Sequence, residues 1–240
     1  MLSCGASDNG AISFAGNTGS KSIVTKDVDG ISGESFSVCL YVKRKRVDAV
    51  EHLLTMGALT TRGGVFMRFW SSNKMQFGFR SDNTVTSSAF PSDTGVWVHW
   101  AFVYNKVGNG MSIFRDGVAQ GLAGAGNGGT SQGPTTATGA IHLGVKKWDT
   151  SNSPFNGNMD ELRVYVARAL TQVDVASMMT NPITDDRGLV LAMTFDFSAD
   201  LGKDSSCRGI GDATSVTGVV LVTGKECGAE DNSGAATCRG

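Results

Sequence analysis

The sequence predicts an all-β fold, a sandwich of two antiparallel sheets with one short helix near residues 171–179. Short runs of alternating apolar and polar residues recur along the chain, glycine-rich turn signals separate them, and only 4 of the 240 residues are proline. Successive side chains of a strand point to opposite faces, so this alternation is typical of strands buried on one side. Many short strands with frequent turns favour a sandwich.

The strand pattern is clearest in two runs of the first half. Phe36, Val38, Leu40 and Val42 alternate with smaller residues. Residues 96–104 are apolar at almost every position, which is typical of a central strand covered on both faces. The segment 47–54 fits a helix or a loop. Further runs with the strand pattern are residues 11–14, 65–70, 75–80, 111–114, 140–143, 161–166 and 189–197.

The predicted helix carries its own start and stop signals. Thr171 followed by Asp174 has the spacing of a capping box, in which two side chains satisfy free backbone N–H groups at a helix start. An apolar stripe follows, and the pair Asn181–Pro182 ends the segment. We therefore expect one short helix that packs on the sandwich through Val173, Ala176 and Met179.

Composition and charge exclude several classes of protein. Charged residues make up 18% of the chain and the net charge is −1, which argues against a nucleic-acid partner. No run approaches the roughly 18 apolar residues of a membrane-spanning helix. Residues 1–5 have neither a basic region nor an apolar stretch, so no signal peptide is visible.

The five cysteines suggest an oxidising compartment. Cys39 lies within a predicted strand and is expected to be a buried, free thiol. The remaining four lie near the two chain ends, at Cys4, Cys207, Cys227 and Cys238. Such a distribution fits an extracellular protein whose ends are joined by disulfides, although reduced thiols in a cytosolic protein are the alternative. The sequence does not fix the pairing.

Three segments together resemble a known family. Residues 36–42 read Phe-Ser-Val-Cys-Leu-Tyr-Val, residues 95–104 precede an Arg-Asp-Gly turn at 115–117, and residues 155–165 read Phe-Asn-Gly-Asn-Met-Asp-Glu-Leu-Arg-Val-Tyr. The last run leads through Ala-Leu-Thr at 169–171 into the predicted helix. In this order they resemble the laminin-G-like module of the concanavalin A-like lectin/glucanase superfamily. The resemblance implies a concanavalin A-like jelly-roll sandwich.

The two ends of the chain depart from this family. Its usual first strand is missing at the start, whereas a segment similar to it occurs at 188–196 and continues to 204–209. In one interpretation, residues 188–222 supply the missing strand to the same sandwich; in the other, they begin a next repeat. We predict a sandwich over residues 1–222 and a cysteine-containing polar tail over 223–240.

The sequence argues against catalysis. Glycosidases of this superfamily carry alternating carboxylates, Glu-x-Asp-x-(x)-Glu, which face one cleft from a single strand. The chain has no such triplet, and the adjacent pair Asp160–Glu161 is expected on opposite strand faces. We therefore predict a protein that is not an enzyme, with a glycoside hydrolase as a distant alternative.

The resemblance also implies a structural calcium ion. Asp160, in the segment 155–165, matches an aspartate that often coordinates Ca²⁺ in this family. Backbone carbonyls from two other segments complete that site in relatives. The corresponding positions in this chain are Asp196 and the turn at Gly33 and Glu34. Hard oxygen ligands from separate segments suit Ca²⁺. The alternative is that Asp160 caps a bulge or pairs with an arginine nearby.

Two loops have the composition of sugar-binding sites, where an aromatic platform lies beside planar polar side chains. The first contains Trp148, Asp149 and Asn152 and comes directly before the segment 155–165. The second contains Trp70 and Asn73. The alternative is that these tryptophans pack against the edge of the sandwich. A basic run at 43–46 could meet sulfated glycans or an acidic partner, or form a solvated loop.

These observations predict a non-catalytic extracellular or cell-surface module for recognition or adhesion. Its expected partner is a glycan or glycoprotein, and calcium is the expected structural cofactor. The alternative is a structural subunit of a surface assembly, which joins copies of itself or other proteins through its sheet edges. Because this fold hosts several functions, the choice depends on the site.

Overall fold

The computed structural model describes residues 2–3, 10–16, 22–86, 88–123, 130–148, 153–180, 186–196, 201–206, 211–225 and 237–238. Within these ranges it contains one α-helix, α1 (Gln172–Thr180), and two single 3₁₀ turns at Pro91–Asp93 and Val107–Asn109. The strands are β1 (Leu2–Ser3), β2 (Gly10–Ala15), β3 (Ser22–Asp27), β4 (Phe36–Arg44), β5 (Glu51–Gly57), β6 (Gly64–Phe69), β7 (Met75–Phe79), β8 (Asp82–Thr86), β9 (Val98–Asn105), β10 (Gly110–Arg115), β11 (Val118–Ala119), β12 (Leu122–Ala123), β13 (Ala140–Leu143), β14 (Asn156–Val166), β15 (Leu189–Met193), β16 (Ala213–Thr217), β17 (Val220–Thr223) and β18 (Thr237–Cys238).

Two eight-stranded antiparallel sheets face each other, which confirms the predicted sandwich. The first sheet has the order β11-β10-β9-β4-β14-β2-β17, and β15 pairs with β14 beside this path. The second has the order β12-β8-β7-β6-β5-β13-β3-β16. Strands β1 and β18 form a separate two-stranded pair.

The core lies between the two sheets. Phe36, Val38, Leu40 and Val42 of β4 all point into it, as the alternation predicts. Rings from both sheets meet there edge to face, and the centroids of Phe36 and Phe77 lie 6.0 Å apart. Such contacts between large rings give the core much of its cohesion.

The outer face of the first sheet is covered by α1 and the segment before it. A second apolar cluster lies there, so β9 is buried on both faces as its continuous apolar run predicts. The capping box forms: the Thr171 N–H donates to Asp174 Oδ2 over 2.7 Å, and the Asp174 N–H donates to Thr171 Oγ1 over 3.2 Å. The cluster consists of Cys39, Ala101, Val103, Phe114, Tyr165, Leu170, Val175, Leu189 and Ala192.

The C-terminal strands join both sheets of the same chain. Strand β15 pairs with β14, β16 pairs with β3 in the second sheet, and β17 pairs with β2 in the first. Consecutive strands β16 and β17 thus lie in different sheets, with Gly218 at a positive φ of 61° between them. These pairings are those that a self-completing sandwich requires, while the domain division itself stays a prediction.

Cys39 is buried and free, and its burial raises the pKa of the thiol to about 12. Of the terminal cysteines, Cys238 belongs to β18, whereas Cys4, Cys207 and Cys227 lie outside the described residues. The predicted terminal disulfides therefore stay a prediction. Within the described ranges, no helix has the length and apolar character needed to cross a membrane.

Candidate functional site

A pocket opens on the outer face of the second sheet, opposite the core. Along β6, Val65, Met67 and Phe69 enter the core, so Phe66 and Arg68 point to the other side. The pocket has a volume of about 350 Å³. Its lining residues come from β5 to β8 and from the segment after β13: His52, Leu59, Phe66, Arg68, Arg80, Ser81, Asn83, Lys146 and Trp148.

Arg68 is held in a fixed orientation at this site. Its guanidinium carbon lies 4.8 Å from the ring centroid of Phe66 and 4.4 Å from that of Trp70. Nε donates to Gln76 Oε1 over 2.7 Å, and Gln76 Nε2 in turn donates to Asn83 Oδ1 over 2.6 Å. Stacking and a relayed hydrogen bond therefore fix the plane of the guanidinium before any ligand arrives.

His52 is a neutral partner of Arg68. Burial, together with the positive charges of Arg68 and Lys146, lowers the pKa of His52 to about 3. Its Nε2 lies 3.4 Å from Arg68 Nη1, and a guanidinium can only donate, so Nε2 is the acceptor and the ring proton resides on Nδ1. At physiological pH, His52 therefore orients Arg68 without adding a charge to the pocket.

Trp148 forms a wall of the pocket. Its Nε1 donates to the Gly57 carbonyl over 3.0 Å. The six-membered part of the indole lies against Gly64, where an added Cβ would come within 2.3 Å of Trp148 Cζ2. Only a glycine at position 64 leaves room for the ring in this position, so the sequence of β6 places the indole.

The pocket thus combines apolar ring faces with positioned hydrogen-bond donors. Such a surface can hold a sugar ring, which has an apolar face and a rim of hydroxyls. Among the described lining residues, none is an aspartate or glutamate, whereas Arg68, Arg80 and Lys146 are basic. The described lining therefore contains no pair of carboxylates of the kind that glycosidases use.

The structure brings together part of the predicted ligand site. Trp148 lines the pocket and Trp70, which is 40% exposed, stacks on Arg68 beside it, although their loops are far apart in sequence. Asn73 belongs elsewhere: it is buried, and its Oδ1 lies 3.4 Å from Arg44 Nη2. Asp149 and Asn152 lie outside the described residues.

The predicted basic run is not a free charged patch. Arg44 is buried, its Nε lies 3.2 Å from Glu51 Oε2, and its guanidinium carbon lies 3.8 Å from the ring centroid of Phe69. Arg46 Nε donates to Glu51 Oε1 over 2.7 Å, and Lys45 Nζ donates to Ser13. These contacts stabilise one end of the sandwich and replace the solvated loop expected at 43–46.

The predicted calcium residues fall into two groups. Asp160 and Asp196 lie close enough for the charge of Asp196 to act on Asp160. The turn at Gly33 and Glu34 precedes the other end of the β4–β14 pair, because Tyr41 is opposite Asp160 whereas Phe36 is opposite Val166. Five residues of strand separate those ends by about 17 Å. Gly33 and Glu34 therefore do not join Asp160 in one site; Glu34 instead pairs with Lys106.

Asp160 lies at a bulge of β14. Its Oδ1 accepts from the Glu161 N–H and its Oδ2 from the Lys225 N–H, each over 2.8 Å. The register to β4 shifts here and Glu161 has a positive φ of 51°, so the strict alternation expected for Asp160 and Glu161 is interrupted. Burial, followed by the charge of Glu161, raises the pKa of Asp160 to about 8.

Sequence reasoning missed the polar side of the pocket. His52, Arg80, Asn83 and Lys146 carry no motif that distinguishes them from other surface residues. A usable signal was present in β6 and the residue after it, where Phe66, Arg68 and Trp70 alternate with core residues. Two aromatic residues flanking an arginine on one strand face predict a stacked guanidinium.

The comparisons with known proteins agree with the observed fold. A family model of laminin-G type, described as the concanavalin A-like lectin/glucanases superfamily, matches residues 16–176. No curated protein matches the chain in sequence.

Solved structures share the fold at low sequence identity. A candidate carbohydrate-binding protein from Bacteroides ovatus has a TM-score of 0.65 and 18% identity over 94% of this chain, which spans 61% of that protein. A heptameric SAP-like pentraxin from Limulus polyphemus has a TM-score of 0.64 and 17% identity, with 92% of this chain and 98% of the pentraxin covered. The sialyllactose-bound CBM40 of the Ruminococcus gnavus IT-sialidase has a TM-score of 0.51 and 14% identity, with 70% and 95% covered. By its family match, the chain belongs to the concanavalin A-like lectin/glucanase superfamily, in its laminin-G-like branch.

Proposed function

We propose that this protein is a non-catalytic, extracellular carbohydrate-binding module whose ligand occupies the pocket on the second sheet. The observation that carries the proposal is the combination of the Trp148 wall with the fixed guanidinium of Arg68 in one cavity. The volume of about 350 Å³ is near the lower end of the range for small-molecule sites, roughly 300–1,000 Å³. Carbohydrate-binding proteins among the similar folds support the same class of ligand.

The position of Trp148 provides the sharpest test of this proposal. Gly64→Ala places a methyl group 2.3 Å from Trp148 Cζ2 and 2.7 Å from the Ala58 carbonyl oxygen, so both the ring and the turn before β6 must shift, and we expect glycan affinity to fall about tenfold or more. Trp148→Ala removes the ring and is expected to have a similar effect. A glycan array identifies the ligands, and titration calorimetry then measures the loss for each variant.

Gly110→Ala is the matched control, because a Cβ at Gly110 meets no atom within 4 Å and β10 belongs to the first sheet. This variant should bind glycans as the unmodified protein does. If folded Gly64→Ala and Trp148→Ala both keep full affinity, the pocket is not the glycan site. If no glycan on the array binds the unmodified protein, the proposed function itself fails.

A calcium ion at Asp160 and Asp196 is part of the proposal. Asp160 is buried and keeps a second lone pair on each oxygen beyond its two backbone hydrogen bonds, which fits a hard cation. Within the described ranges, however, no three His, Cys, Asp or Glu residues come together as a metal-binding group. The remaining ligands would therefore be backbone carbonyls, and a bound ion would fix the bulge of β14 to the segment after β15.

The pH dependence of stability tests the calcium proposal. The folded pKa of Asp160, about 8, lies above its ordinary value of 3.8. The folded state therefore holds a proton that the unfolded state has released, and stability without metal should fall as the pH rises from about 4 to about 8. Ca²⁺ needs the ionised carboxylate, so it should raise the melting temperature more at about pH 9 than at about pH 6.

Differential scanning fluorimetry in CaCl₂, MgCl₂ or chelator measures this effect. Asp160→Asn should abolish the calcium response. An equal melting temperature with calcium and with chelator at both pH values would refute the calcium site and leave the glycan proposal untouched.

A second candidate function rests on the edge strands β16 and β17. Each forms one edge of its sheet, and Val216 and Val220 on them are exposed. An uncovered edge offers free backbone groups to another chain. Concentration-dependent oligomers in light scattering, without glycan binding, would favour a structural subunit over a lectin-like module.

A further inference from the structure

We propose that the pocket on the second sheet selects sugars that carry an anionic group, a carboxylate or a sulfate, over their neutral counterparts. This inference rests on the proposed carbohydrate-binding function and specifies its ligand class. It is carried by three basic side chains that share one cavity with the Trp148 wall.

The charges in the pocket are not balanced by the described part of the protein. Arg68, Arg80 and Lys146 all line it, and among the described residues no carboxylate lies within ion-pair distance of any of them. By contrast, Arg44, Arg115 and other basic residues of the structure do form such pairs. Like charges held together repel one another, and a bound anion would relieve that repulsion.

The orientation of Arg68 suits recognition of an anion. The rings of Phe66 and Trp70 both lie within 5 Å of its guanidinium carbon, Gln76 Oε1 accepts from Nε, and His52 Nε2 lies against Nη1. Nη2 has no hydrogen-bond partner among the described residues, so the guanidinium keeps a free donor. A planar, pre-oriented guanidinium matches a carboxylate or sulfate, and little side-chain freedom is lost when it binds.

A purely structural role of Arg68 is the competing explanation. An arginine stacked against two rings covers apolar surface, and this alone could account for its position. Such a role does not require Arg80 and Lys146 to lie in the same cavity. A structural arginine would also affect acidic and neutral ligands equally, which gives the experiment its discriminating measurement.

The test compares pairs of sugars that differ only in the anionic group. The pairs are sialyllactose and lactose, a glucuronic acid oligosaccharide and its carboxyl-reduced form, and a sulfated oligosaccharide and its desulfated form. We expect at least one anionic member to bind about tenfold or more tightly than its neutral partner, with a preference that weakens as salt is added. The first two pairs report on carboxylates and the third on sulfate.

Arg68→Gln should reduce the anionic-to-neutral affinity ratio to near one, and the double variant Arg80→Gln/Lys146→Gln should reduce it partly. The double variant leaves the stacked Arg68 in place and keeps the test valid if Arg68→Gln fails to fold. Lys203→Gln, an exposed lysine in the loop after β15, removes the same charge elsewhere and should leave the ratio unchanged.

Equal binding of both members of every pair would overturn the inference and leave the proposed function standing. A loss of affinity in Arg68→Gln that is the same for both members would overturn it in favour of a structural role. Absence of binding to all six sugars and to the whole glycan array would refute the proposed function instead.

Discussion

Deletion of residues 188–240 is expected to abolish the soluble monomer. Strand β15 and the residues after it place five large apolar side chains in the two apolar clusters. Burying each such side chain contributes about 1.5–3 kcal/mol, so their loss removes on the order of 10 kcal/mol. That equals the whole unfolding free energy of an ordinary domain, roughly 5–15 kcal/mol. The five residues are Leu189, Val190, Leu191, Met193 and Phe195.

The lost hydrogen bonds act in the same direction. β15 is the partner of β14 over Leu162 to Tyr165, and its removal exposes that stretch of backbone in the middle of the sheet. Deleting only residues 226–240, with Cys4→Ser and Cys207→Ser so that no terminal thiol is left unpaired, is the matched control because it keeps β15 to β17. Size-exclusion chromatography and circular dichroism measure the outcome. A folded monomer of the longer deletion would show that residues 188–222 do not complete this sandwich.

Glu51→Ala is expected to lower the unfolding free energy by about 3–5 kcal/mol, which is the usual cost of breaking a buried ion pair. Glu51 is fully buried between Arg44 and Arg46, and its Oε1 also accepts from the Asn156 N–H. Without it, the buried guanidinium of Arg44 loses its ion-pair partner and keeps only the weaker influence of the Asp93 charge, whereas Arg46 is partly exposed and can turn to solvent. Burial already lowers the pKa of Arg44 and raises the pKa of Glu51.

Urea unfolding of Glu51→Ala, followed by tryptophan fluorescence, measures this loss. The double variant Arg44→Met/Glu51→Leu removes both charges together and fills the space with apolar side chains. It should be more stable than Glu51→Ala, because no unpaired charge is buried. A double variant less stable than the single one would show that packing of Arg44 on Phe69, rather than charge balance, dominates at this end of the sandwich.

Much of the fold could be predicted because period-two alternation records which face of a strand is buried. The run that became β4 carries that alternation, the continuous apolar run of β9 marks a strand covered on both faces, and the capping box marks the start of α1. The predicted apolar stripe of α1 was wrong, because Val173 is 77% exposed and Val175 is the buried residue instead. Strand β5 was missed because Glu51 and His52 are charged or polar yet buried. Their burial depends on Arg44, Arg46 and Arg68, which no local pattern relates to them.

The site could be predicted only in part, because it also depends on contacts between segments that are distant in sequence. Trp148 and Trp70 were identified from composition, but their meeting beside Arg68 depends on how β6 and the segment after β13 pack. Asn73 has the composition of a sugar ligand and is instead held by Arg44 and Asp48. The turn at Gly33 and Glu34 failed to join Asp160 because the register of β4 and β14 separates them, and register is a property of the sheet rather than of either segment.

The distribution of the tryptophans gives the molecule two separate optical reporters. Trp148 and Trp70 lie at the pocket, whereas Trp100 is fully buried in the core. The fourth tryptophan, Trp97, is half-buried beside Lys43 and does not line the pocket, so Trp97→Phe removes its constant background. The fluorescence of Trp148 and Trp70 will change when a ligand occupies the pocket. The fluorescence of Trp100 will change only when water enters the core. Unlabelled protein can therefore be followed by ultraviolet emission for occupancy and for integrity in a single titration.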